Sequence, residues 1–68
     1  MQEISSVIKM NSGMVMVFDK EGEQIPQYQG PYGRVKERIL RDAPLDAEFA
    51  NGWKENGGGP NFVSREIW

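Results

Sequence analysis

The chain is 68 residues long with a net charge of −2, 38% apolar and 26% charged side chains, and neither cysteine nor histidine. That length makes one domain with a marginal core, and the missing thiols and imidazoles exclude a disulfide, the usual structural zinc site, a thiolate nucleophile and a Ser–His pair. The longest apolar run, Met14 to Phe18, is far short of the roughly 20 residues of a membrane span, and no basic segment followed by an apolar stretch marks a signal peptide, so a cytoplasmic, membrane-free protein is expected.

Residues 1–13 fit neither period cleanly. Ile4, Val7 and Ile8 have helical spacing, yet Ser5, Ser6, Val7 and Ile8 are poor helix formers. The segment reads as an N-terminal extension, frayed as a tail, or as an extra edge strand that turns through Asn11-Ser12-Gly13. The domain proper then spans 14–68. Met14 to Phe18 reads as a strand, and Asp19-Lys20-Glu21-Gly22 as a tight hairpin loop. In that loop aspartate caps the turn and glycine takes a left-handed angle without steric cost. Glu23-Gln24-Ile25 returns as the partner strand and stops at Pro26.

Gly30 to Pro44 reads as one amphipathic helix. Pro31 suits a first helical position, and Pro44 forces Ala43 out of helical angles. At about 100° per residue, Tyr32, Val35, Ile39 and Ala43 gather on one side with Leu40 at its margin. Arg34, Arg38 and Arg41 gather opposite. With Lys36 they outnumber Glu37 and Asp42, making this the one basic segment of an acidic chain.

Leu45-Asp46 make a corner. Ala47, Phe49, Asn51 and Trp53 then alternate with Glu48, Ala50, Gly52 and Lys54, the first set being the more apolar. Asn56-Gly57-Gly58-Gly59-Pro60 is a flexible turn, and Asn61 to Trp68 a closing strand. On that strand Val63, Arg65 and Ile67 share one face, and Phe62, Ser64, Glu66 and Trp68 the other.

The expected architecture is α+β, a small ββαββ domain with one amphipathic helix packed on one face of a short antiparallel sheet. The expected core comprises Val15, Val17 and Ile25 from the first hairpin and Val35, Ile39 and Leu40 from the helix. Phe49, Trp53, Val63 and Ile67 from the second hairpin complete it. One helix covers one face. Met14, Met16 and Phe18 cannot point the same way as Val15 and Val17, nor Phe62 and Trp68 the same way as Val63 and Ile67. Either residues 1–13 cover the second face, or it is an exposed apolar patch.

Chemistry is poorly supplied. Glu48 and Glu66 could meet across the last hairpin, but two solvated strand carboxylates are the simpler reading. The acids around Asp19 lack the glycine and glutamate spacing of a calcium loop. The glycine triplet precedes a proline and a strand, whereas a phosphate loop opens into a helix with a Lys-Ser/Thr pair. No catalytic residue, metal, cofactor or small-molecule substrate is therefore expected, and a domain this small has little room for a pocket. The candidate contact residues are Arg34, Arg38 and Arg41 on the helix, whose forked guanidinium groups suit acidic partners, and Met16, Phe18, Phe62 and Trp68 on the uncovered sheet face. Together they point to a non-catalytic binding module for another protein or for a second copy of itself. The alternative is a single-stranded nucleic-acid binder that stacks bases on the sheet aromatics. Its affinity would be weak and salt-sensitive, because three arginines on an acidic chain release few counterions.

Overall fold

Two hairpin-like units joined by a crossover helix build a single five-stranded sheet. The structure is a computed structural model and describes residues 3–68. Strand β1 (Ser6–Lys9) runs antiparallel to β2 (Met14–Phe18), with Val7 opposite Val17 and Ile8 opposite Met16. The turn between them closes through Met10 and Gly13, the latter at φ +92°. After β2 the Asp19 loop reverses the chain, as its residues predict, but the return strand reduces to one bridge, Phe18 to Gln24. Pro26–Tyr28 then forms a single 3₁₀ turn. Strand β3 (Gly30–Pro31) pairs with the outer side of β2, an edge position where the N–H that proline lacks is not needed.

Helix α1 (Tyr32–Asp42) starts one residue later than the sequence suggests, because Pro31 caps it in extended geometry. It ends at Ala43, held extended at φ −71°, ψ 133° ahead of Pro44. α1 carries the chain from the β3 edge across the sheet to β4 (Glu48–Trp53), and β5 (Pro60–Val63) folds back antiparallel on β4. The strand order is β3-β2-β1-β4-β5.

This order corrects two expectations. The sheet is mixed: a helical crossover returns its strand in the direction it left, so β4 lies parallel to β1, with Val7 beside Phe49 and Ile8 beside Ala50. The ββαββ reading of a purely antiparallel sheet therefore fails, while the α+β class with one helix on one sheet face holds. Of the 1–13 segment, residues 1 and 2 lie outside the described residues. Ser6–Lys9 is the central strand and not an edge, because it pairs with β2 on one side and β4 on the other.

The core lies between sheet and helix. Val7, Val15, Val17 and Phe49 from the strands meet Val35 and Ile39 from α1, with Ile4 and Ile25 beside them. Of the expected core residues, Leu40 and Val63 are only half-buried against this cluster. Trp53 and Ile67 are outside it, 49% and 68% exposed. Trp68, expected on the other face, takes their place at 2% exposure, its ring 5.1 Å from Tyr32 and 5.0 Å from Phe49 between centroids. The helix packs on the β2 and β3 side of the sheet, which leaves Phe49 on β4 to be covered by something else. Trp68 does so. Among the described residues no helix is long and apolar enough to cross a membrane.

Candidate partner-binding face

Strand alternation decides what stands on the sheet face away from α1. Val7, Val15, Val17 and Phe49 turn toward the helix, so Ser6, Ile8, Met14, Met16, Phe18, Glu48 and Ala50 turn away from it. The register aligns them in rows. Met16, Ile8, Ala50 and Phe62 form a continuous apolar row across four strands. Phe18, Ser6 and Glu48 form the next row. Within the first row Ile8 and Ala50 are buried, while Phe62 at its end is 49% exposed. Met14, one step along β2 from Met16, is 46% exposed.

Trp53 joins this face through a backbone irregularity. Strict alternation would place it with Phe49 and Asn51 under the helix. Gly52 instead adopts φ +68°, and the β4–β5 register shifts between Ala50 and Trp53. The bulge puts Trp53 opposite Pro60, on the same face as Ala50 and Phe62. A glycine inside a strand pattern is the signal that could have revealed this turn of the side chain.

Met16, Phe18 and Phe62 thus lie together on the open face. Trp68 does not, and its assignment there is corrected. Strand β5 stops at Val63, and the carbonyl of Ser64 accepts from the N–H groups of Ile67 and Trp68 at 3.1 and 3.0 Å. That turn ends the period-two pattern and folds the indole back over Phe49. It also takes Glu66 out of β5, so the hairpin does not pair it with Glu48.

The three helix arginines stand exposed on the outer side of α1, on the opposite side of the molecule from the apolar rows. Two of them already serve the fold. Arg38 donates to the Gln27 carbonyl at 2.8 Å, and Arg41 donates to Asp42 at 2.9 Å. Asp42 also accepts from the Tyr28 hydroxyl at 2.5 Å. The Arg41 bond, followed by the Tyr28 bond, holds the Asp42 carboxyl below its ordinary value. The same carboxylate raises the Tyr28 phenol, first through the hydrogen bond.

Arg65, just past the end of β5, is used by the fold at the end of α1. Its guanidinium donates to the carbonyls of Leu40, Ala43 and Pro44 at 3.3, 3.5 and 2.6 Å, and lies 5.0 Å from the Phe49 ring centroid. It satisfies the carbonyl end of α1, where a cation is favoured. Among the described residues no group of three or more His, Cys, Asp or Glu side chains converges as a metal site would. Compared with protein-family models, with curated proteins and with solved structures, the chain has no match.

Proposed function

We propose that this chain is a non-catalytic protein-binding module that docks a partner on the open face of its sheet. The observation that carries the reading is the apolar row Met16, Ile8, Ala50 and Phe62, extended by Met14, Phe18 and Trp53. Met14, Trp53 and Phe62 are about half exposed on this face, and apolar side chains grouped on an open surface mark contact sites. Methionines and aromatics are the side chains such sites favour. The partner is a protein surface with an apolar patch of its own, and a second copy of the chain meets that description.

Trp53 and Phe62 could also stack bases. The protein reading is favoured because the helix arginines face the other way while Glu48 shares the open face. Light scattering after size-exclusion chromatography at two concentrations, with an apolar dye added, tests the proposal. A concentration-dependent dimer supports it, as does a monomer that binds the dye and loses that binding in Phe62→Glu. A monomer that binds no dye at any concentration overturns it.

A further inference from the structure

The two edges of the sheet are finished differently. At one end β3 is two residues long, and Pro31 has no N–H to give a further strand. At the other end β5 presents Pro60, Asn61, Phe62 and Val63 with β4 on one side only. In a strand paired on one side, every second residue turns its N–H and C=O away from the neighbour. Among the described residues, no turn or loop bonds to the backbone of Asn61, Phe62 or Val63 from the outer side.

The usual protections of such an edge are thin here. Native edge strands are blunted by charged side chains, by proline or by a bulge. Pro60 and the bulge at Gly52 and Trp53 both lie where β5 begins, which leaves Asn61 to Val63 unguarded. From Asn56 to Ser64 the chain carries no charged residue. Phe62, last in the apolar row that starts at Met16, is 49% exposed, since no strand flanks it on the outside.

We propose that β5 pairs antiparallel with the β5 of a second copy, about a two-fold axis normal to the sheet. An identical strand suits this edge, because each copy brings the same donors and acceptors and no like charges meet. A register centred on Phe62 sets the two Phe62 rings side by side and joins the two apolar rows into one. Both rows stay on the same side of a continuous sheet. A four-residue edge buries far less than the roughly 800 Å² per partner of a standard interface, so the dimer forms only at high protein concentration. The inference goes beyond the docking proposal: it uses the strand edge and leaves the open face bare, so either can fail alone.

The test is sedimentation velocity from micromolar to millimolar protein, with amide NMR over the same range. A dimer that grows with concentration is expected, with shifts and slowed amide exchange centred on Asn61, Phe62 and Val63. Asn61 is exposed, and alternation turns its side chain away from the Phe62 face. Asn61→Lys brings like charges together at the paired edge and should weaken the dimer about fivefold or more. Met14→Glu alters the open face at the far end of the sheet and should leave the dimer unchanged. A monomer at millimolar concentration overturns the inference, whether or not it binds the apolar dye. So does a dimer that is unaffected by Asn61→Lys. A dimer lost in Met14→Glu also overturns it, and supports face-to-face docking in its place.

Discussion

The Trp68 ring lies 5.0 Å from the Phe49 ring, tilted by 56°, and closes the part of the core that the helix leaves open. Truncating a buried tryptophan costs about 3–5 kcal/mol, a large share of the stability of any small domain. Trp68→Ala should therefore unfold much of the population at room temperature, and Trp68→Phe far less. Urea denaturation followed by circular dichroism checks both. A Trp68→Ala protein as stable as the parent would return the indole to the surface.

Gly52 allows the bulge that turns Trp53 outward. At φ +68°, any L side chain is strained, and a Cβ there would sit 2.7 Å from Asn11 Oδ1. The amide can swing aside, but the backbone angle remains. Gly52→Ala should lose about 1–2 kcal/mol, and adding Asn11→Ala should recover little of it. Thermal melts of the single and double variants measure the difference.

The Tyr28–Asp42–Arg41 cluster gives stability a weak pH dependence at both extremes. Asp42 releases its proton more readily when folded, so its contribution is complete above the ordinary value of 3.8 and is lost as pH falls below it. Tyr28 holds its proton longer when folded. Its contribution is complete below 10.0 and is lost as pH rises above that value. Both groups are exposed enough for solvent to screen the effect. Tyr28→Phe should remove the alkaline part and move the Asp42 titration upward, read by carboxyl NMR.

On the open face, Phe62→Glu and Trp53→Glu should change stability by about 1 kcal/mol or less, since both rings are half-exposed. They should abolish self-association or dye binding. Ile8→Glu, in the sealed middle of the same row, should unfold the protein. Equal damage from all three in a chemical denaturation series would make the row part of the core.

Arg65→Met keeps an aliphatic stem against Phe49 but removes the donors to Leu40, Ala43 and Pro44. A loss of about 1–3 kcal/mol is expected. Hydrogen exchange should localise it to the last turn of α1.

What was legible in the sequence is what neighbouring residues decide among themselves. The Asp19 loop is one case: the carboxylate accepts from the N–H groups of Glu21 and Glu23, each at 2.9 Å, and Gly22 sits at φ +83°. The end of α1 at Ala43 is another, since a proline restricts the residue before it. The positions of Met16, Phe18 and Phe62 away from the helix also followed, because alternation on a strand is local.

The central place of β1 did not follow. It depends on Ser6 finding Glu48, a pairing between distant parts of the chain that no short pattern encodes. The exchange of Trp53 and Trp68 between surface and core has the same character. One bulge at Gly52 and one turn at Ser64 each break an alternation that the residue types alone would have continued.

β1 is the seam of the sheet, for among the described residues no other strand touches both the β2–β3 ribbon and the β4–β5 ribbon. A polypeptide beginning at Gly13 would keep every later turn and the helix, yet hold two halves with nothing to stitch them together. Such a fragment should stay unfolded alone and recover native dispersion when a synthetic peptide of the missing segment is supplied in trans, which would turn the fold into a split reporter.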